Sequence, residues 1–211
     1  MSLRDLTPRI GTSRKANPHQ FFSTPEIGTA VFLAREARRI HAISDTVWEC
    51  ACGAGAMVRV LKGFGFRVVA TDLRETGIIG RGGVDFLATN RLRAKSIISN
   101  PPYADVAAAF IRHAIALGVE YLALLLPSGF FQANKDNIAL FREAPPTRIW
   151  PLGFRLDFTG QNRTPPMPHS WFVWDFSPQL GRGHLYSTRD PRSFGEHGAL
   201  LMPALTKEGV A

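Results

Sequence analysis

The sequence predicts an α/β fold, a central and mostly parallel sheet with helices on both faces. Three observations predict it. Short apolar runs alternate with segments of helical period from about residue 25 to residue 143. A glycine turn, Cys52-Gly53-Ala54-Gly55-Ala56, separates the first strand-like run from the helix after it. Acids or turn-forming residues close the runs, at Glu49, Asp72, Asp85, Asn100-Pro101-Pro102 and Pro127-Ser128-Gly129. Such alternation in one compact chain requires a parallel sheet covered on both faces, with ligands at the carboxyl ends of the strands.

Bulk properties narrow the function classes. At 211 residues, 45% hydrophobic and 20% charged, with 15 Phe and 4 Trp, the chain suits one globular domain with a substantial core and is not a disordered segment. No apolar run approaches the length of a bilayer span, and MSLRDLTPRIGTSRKANP lacks the apolar stretch of a secretory signal, so a cytoplasmic protein without a membrane partner is expected. Cys50 and Cys52 lie one residue apart, a spacing that suits neither a structural disulfide nor a zinc site. They are expected to be small core residues, and no metal is expected. The formal net charge of +8 points to a polyanionic partner held by phosphate contacts, or merely to solubility.

Residues 1–20 carry Arg4, Arg9, Arg14, Lys15 and His19 without periodicity and are expected to form a flexible basic arm ahead of a domain over 21–177. At Phe21-Phe22-Ser23-Thr24-Pro25-Glu26 the character changes. Thr24 suits a helix cap, Pro25 the first helical position and Glu26 the positive end of the dipole. Ile27, Ala30, Val31, Ala34 and Ala37 then recur at helical spacing to about residue 42. TVWECA, residues 46–51, is the first strand, and Met57, Val58, Val60 and Leu61 mark a helix after the glycines. The glycines permit tight backbone geometry and close ligand approach, and the helix start offers unpaired amide donors.

FRVVAT, residues 66–71, is a second strand that ends at Asp72, one strand-helix-strand unit beyond Glu49. A carboxylate in that place accepts the hydroxyls of a ribose in nucleoside-binding sheets. The glycine-rich loop 73–83 leads to Val84-Asp85-Phe86-Leu87, which is expected to set a third acid at a strand end. A strand at 96–99, a helix near 106–117, a strand at 120–126 and a short helix near 137–143 come next. Arg148–Phe158 and Ser170–Phe176 are aromatic-rich strand candidates with no helix between them, which predicts a hairpin. Its connection, 159–169, carries Arg163 and is expected to project toward a partner. Residues 178–211 are punctuated by Gly and Pro and read as an irregular tail.

The run Ser96-Ile97-Ile98-Ser99 stops at Asn100-Pro101-Pro102-Tyr103. Two prolines cannot continue a ladder, and each holds the residue before it extended, so Asn100 sits on a stiff loop. Its side-chain carbonyl beside the Pro101 carbonyl offers two fixed acceptors, and Tyr103 offers a flat face, a set suited to a planar amine. Alone, Asn-Pro-Pro is equally a strand-ending turn, Gly53 and Gly55 an ordinary helix entry, Asp72 a solvated acid, and Phe21 and Phe22 a hydrophobic staple. Their order along the chain favours the functional reading.

That order resembles the class I S-adenosylmethionine-dependent amino-methyltransferases that carry an Asn-Pro-Pro-Tyr signature, most like the adenine-specific DNA methyltransferases. The resemblance covers roughly residues 21–176. It implies a Rossmann-like fold, a mostly parallel seven-stranded sheet with helices on both faces and a C-terminal antiparallel strand pair, and S-adenosyl-L-methionine as cofactor. It further implies that Phe21, Phe22, Thr24 and Pro25 cover the methionine part of the cofactor and that Glu49, Gly53 and Gly55 form the glycine loop. Asp72 would be the ribose acid, and Asp85 and Phe86 would meet the adenine. Asn100, Pro101, Pro102 and Tyr103 would be catalytic, with Tyr103, Phe158 and Arg163 on the substrate.

The chemistry implied is direct in-line transfer of a methyl group. An exocyclic amine conjugated to a ring is a poor nucleophile, and acceptors that bind its protons help to free its lone pair. An adenine in duplex DNA must leave the stack to reach them, with Tyr103 stacking on the extruded base. The signature is shared by enzymes that act on adenine in DNA, on adenine or guanine in RNA, and on a protein glutamine. The charge favours nucleic acid, DNA first. A catalytically silent methyltransferase-like binding module is the alternative from another class, because fold alone does not prove activity.

Overall fold

The computed structural model describes residues 24–75, 79–102, 105–158, 167–177 and 184–185. Four helices, α1 (Glu26–His41), α2 (Ala56–Gly63), α3 (Asp105–Ala116) and α4 (Lys135–Glu143), alternate with strands β1 (Thr46–Glu49), β2 (Arg67–Ala70), β3 (Ser96–Ser99) and β4 (Tyr121–Pro127). Strands β5 (Arg148–Pro151), β6 (His169–Asp175) and the two-residue β7 (His184–Leu185) complete the chain order. The result is a mixed sheet of six strands in the order β2-β1-β3-β4-β6-β5, with β7 added beside β5. Strands β2, β1, β3 and β4 run parallel, and β6 lies antiparallel between β4 and β5.

Period-two alternation divides the sheet's side chains between two cores. Val47, Ile98, Tyr121, Ala123, Leu125, Trp171 and Val173 face one layer, where Phe32, Leu33 and Ile40 of α1 and Met57 and Leu61 of α2 pack on them. Trp48, Ile97, Leu122, Leu124, Phe172 and Trp174 face the other, against Ala108, Ile111 and Ala114 of α3 and Leu140 of α4. Both β4 and β6 are buried along nearly their whole length, as central strands covered on both faces are.

Helix α1 is tied to the C-terminal strands by a buried polar network. Glu36 Oε1 accepts from Arg148 Nε at 2.9 Å and Trp150 Nε1 at 2.9 Å, while Oε2 accepts from Arg148 Nη2 at 3.0 Å and the Tyr121 hydroxyl at 2.9 Å. Asp175 completes it, accepting from Arg148 Nη2 at 3.1 Å and from Arg39 Nε and Nη2 at 2.9 and 3.0 Å. The two carboxylates match the two guanidiniums, which is how buried charge is tolerated. At the other end of α1, Trp171 Nε1 donates to the Gly28 carbonyl at 2.9 Å, and its ring stacks on Phe32 at 4.3 Å.

Four sequence expectations are corrected. Val84–Leu87 is not a strand: Phe86–Ala88 form a single 3-10 turn, capped by Asp85, whose side chain accepts from the Leu87 amide at 2.9 Å. That local bond competes with a sheet ladder, and only one parallel bridge, Thr71 to Arg81, marks the edge beyond β2 among the described residues. The first strand of the C-terminal pair is shorter than predicted and stops at Pro151, so Phe158 lies outside it. Thr24 does not cap α1; Pro25 holds the cap position without a side-chain bond. Within 178–211, His184–Leu185 pair parallel with β5. Residues 1–20, together with Phe21, Phe22, Tyr103 and Arg163, lie outside the described residues.

Candidate active site

Three of the predicted residues meet at the carboxyl ends of β2, β1 and β3, three adjacent strands of the sheet. Glu49 closes β1. Asp72 stands two residues beyond β2, and Asn100 one residue beyond β3. Parallel pairing aligns these ends, and the sheet thereby brings together groups far apart in sequence.

Glu49 is fully buried. Its Oε1 accepts from the Ser99 hydroxyl at 2.6 Å and from the Ala51 amide at 3.0 Å. Burial pushes its carboxyl up to about 8, against the pull of those two hydrogen bonds toward the ionised form. Ser99, the residue before Asn100, is a buried hydroxyl at the carboxyl end of β3, whose sequence is Ser-Ile-Ile-Ser. Nearby Cys50 and Cys52 are free thiols in the core. Burial raises both, Cys52 to about 11, so neither is a reactive thiolate near neutral pH.

The glycine loop joins the two acids. Gly53 and Gly55 adopt left-handed backbone angles, φ 49° and 81°. The Gly53 amide donates to Asp72 Oδ2 at 2.8 Å, which fixes the loop against the end of β2. Asp72 Oδ1 accepts from the Arg74 amide at 2.9 Å and its Nε at 3.1 Å. Gly55 starts α2 with no side-chain cap, and a Cβ built there would collide with the Ile79 side chain. Ile79 itself donates its amide to the Gly53 carbonyl at 3.1 Å. The segment from Ile79 thus lies against the glycine loop, a contact that the loop-like composition of 73–83 did not reveal.

Asn100 is half-buried between Ser99 and a buried Pro101. Its Nδ2 donates to the Thr24 hydroxyl at 2.9 Å. Its Oδ1 is buried and has no hydrogen-bond partner among the described residues. An unpartnered buried acceptor is costly, and a donor on a ligand would satisfy this one.

The other predicted residues make contacts of their own. Asp85 is exposed and caps its 3-10 turn, while Phe86 is buried against Trp48 and Phe110, with ring centroids 5.2 and 4.6 Å away. Phe158 packs on the first core and tilts against His169 at 4.8 Å, a histidine that burial lowers to about 4 and so keeps neutral. Among the described residues no group of three His, Cys, Asp or Glu is placed to hold a metal ion, and no helix is long and apolar enough to cross a membrane.

The sequence matches no protein-family model and no curated protein. The structure, by contrast, is similar to solved ones. A putative class I S-adenosylmethionine-dependent methyltransferase from Listeria monocytogenes superposes with a TM-score of 0.55 at 14% identity, covering 86% of this chain and 71% of that one. A modification subunit of a putative type I restriction enzyme from Vibrio vulnificus gives 0.52 at 11% identity over 81% of this chain and 50% of that one. A putative RNA methyltransferase from Pyrococcus horikoshii gives 0.54 at 12% identity, covering 73% and 85%. The chain spans about half the length of the Vibrio subunit. At these identities the likeness shows the fold, which is the α/β fold of class I methyltransferases.

Proposed function

We propose that the chain is an S-adenosylmethionine-dependent methyltransferase that acts on the exocyclic amine of adenine in DNA. The observation that carries this reading is the Asn100 side chain, a buried acceptor without a partner among the described residues, set on a proline-stiffened loop beside two acids and a glycine loop.

The residues present fit the cofactor. Asp72 at the end of β2 offers a carboxylate to ribose hydroxyls, Glu49 holds Ser99 in place beside Asn100, and the left-handed Gly55 lets the loop turn where a Cβ would strike Ile79. When bound, the cofactor supplies an electrophilic sulfonium methyl. The chain's own part is to hold the amine. Asn100 Oδ1 and the Pro101 carbonyl accept hydrogen bonds from its two N–H groups, which localises the lone pair on nitrogen; once methylated, the nitrogen releases one of these protons to solvent. Pro101 and Pro102 keep these acceptors rigid, and holding the reactants in line contributes up to roughly 7–11 kcal/mol. Tyr103, with Phe158, takes the faces of the extruded base. The net charge of +8, with Arg163 in the long connection, supports a nucleic acid over a protein side chain. The comparisons include both a restriction-enzyme modification subunit and a putative RNA methyltransferase, so the polymer is chosen by experiment.

Purified protein is incubated with methyl-tritiated cofactor and either genomic DNA or ribosomal RNA, and the nucleosides are resolved by mass spectrometry. N6-methyladenine in DNA is expected, and Asn100→Ala is expected to abolish it while still binding S-adenosylhomocysteine. Label confined to RNA ends the DNA assignment. Full turnover by Asn100→Ala ends the proposed role of the amide.

A further inference from the structure

We infer that Thr24 is a positioning residue, whose hydroxyl fixes which way the Asn100 amide points. The inference rests on the methyltransferase reading above and goes beyond it. Rotation about the last torsion of an asparagine is broad and roughly two-fold, so backbone rigidity alone does not decide whether oxygen or nitrogen faces a ligand. The choice matters, because a target amine presents protons and only the amide oxygen accepts them. With nitrogen forward, donor meets donor.

Two constraints leave this torsion as the freedom that Thr24 removes. Ser99, the preceding residue, is held by its bond to Glu49 at 2.6 Å. Pro101 and Pro102 restrict the backbone on the other side. The amide Nδ2 then donates to Thr24 Oγ1 at 2.9 Å, which turns Oδ1 to the side where it has no partner among the described residues. Thr24 is itself well placed to act as a reference point. It directly precedes Pro25 at the start of α1, whose first turn is anchored by the Trp171 bond to Gly28 and by the Gly28 amide on the Pro25 carbonyl at 3.0 Å. The hydroxyl that the sequence suggested for capping the helix orients the amide instead.

The test compares Thr24→Val, which keeps the shape and removes the acceptor, with Thr24→Ser, which keeps the hydroxyl. The side-chain amide of Asn100 is assigned in a nitrogen-15 spectrum by its disappearance in Asn100→Ala. Its resonances are expected to move in Thr24→Val and to return in Thr24→Ser. In methyl transfer with the polymer that accepts label, Thr24→Val should lose roughly ten- to a hundredfold in kcat, and Thr24→Ser should recover most of it. Affinity for S-adenosylhomocysteine, read by calorimetry, should change far less than kcat. Unmoved Asn100 resonances in Thr24→Val overturn the inference, as does a loss that falls on cofactor affinity alone. If the wild type transfers label to no polymer, the methyltransferase reading fails on that arm, while the amide spectrum still decides whether Thr24 orients Asn100.

Discussion

Replacing Glu36 by Gln tests whether the buried network holds α1 to the C-terminal strands. The carboxylate accepts four hydrogen bonds, from Nε and Nη2 of Arg148, from Tyr121 and from Trp150. The side chains of Glu36 and Arg148 are only 5% and 9% exposed. An amide of the same shape removes the negative charge and turns an NH2 toward at least one donor, leaving two guanidiniums to share Asp175. Breaking a buried ion pair from one side costs about 3–5 kcal/mol, a large part of the roughly 5–15 kcal/mol that stabilises a domain. With an m-value of about 2 kcal/mol per molar, the urea midpoint should fall by roughly 1.5–2.5 M with m unchanged. The matched control is Glu26→Gln, which breaks an exposed pair with Arg59 at 2.8 Å and should cost less than about 1 kcal/mol. If Glu36→Gln costs no more than Glu26→Gln, the network is not what secures the helix.

Glu49 gives a pH dependence of defined sign. Its folded carboxyl is raised from 4.5 to about 8, so the folded state holds a proton that the unfolded state has released, and stability falls as pH rises through that window. The slope is at most roughly 1.4 kcal/mol per pH unit, and Glu49→Gln should abolish it; parallel stability profiles from pH 5 to 8 would contradict the assignment. Gly55→Ala should destabilise more than Gly65→Ala in thermal unfolding. Both positions are left-handed, at 81° and 87°, but only at Gly55 does the new methyl collide with Ile79, whereas at Gly65 it meets His41 at an ordinary 3.8 Å. Equal melting temperatures would show that the Ile79 contact yields freely. Gly55→Ala should also weaken cofactor binding in calorimetry, with Gly65→Ala unaffected.

The legible parts of the site lie where the chain changes period. Glu49, Gly53, Gly55, Asp72 and Asn100 all stand at junctions between a strand and the next segment, and a junction shows itself locally through glycine, proline or an acid. Val84–Leu87 misled because Val84 and Phe86 are buried and Asp85 and Leu87 exposed, the alternation of a strand, while the Asp85 cap makes the backbone turn instead. Thr24 misled because a Thr-Pro-Glu run describes a helix start well. Its actual partner is 76 residues away. The Glu36 to Arg148 pair spans 112 residues and is equally silent in sequence, since neither residue differs locally from an exposed helix acid or an edge-strand base.

The bonds that secure α1 set an order of events during synthesis. Helix α1 emerges early, yet its partners Arg148, Trp171 and Asp175 lie 112, 143 and 136 residues away from the groups they hold. Contacts so distant in sequence form late, because loop closure precedes any return from them. Until β6 has been made and inserted between β4 and β5, the helix behind Thr24 packs on the earlier elements but lacks the bonds of Trp171 and Asp175 that hold its two ends. The turn of α1 beside Thr24 thus gains its Trp171 bond only when the last long strand of the sheet is in place.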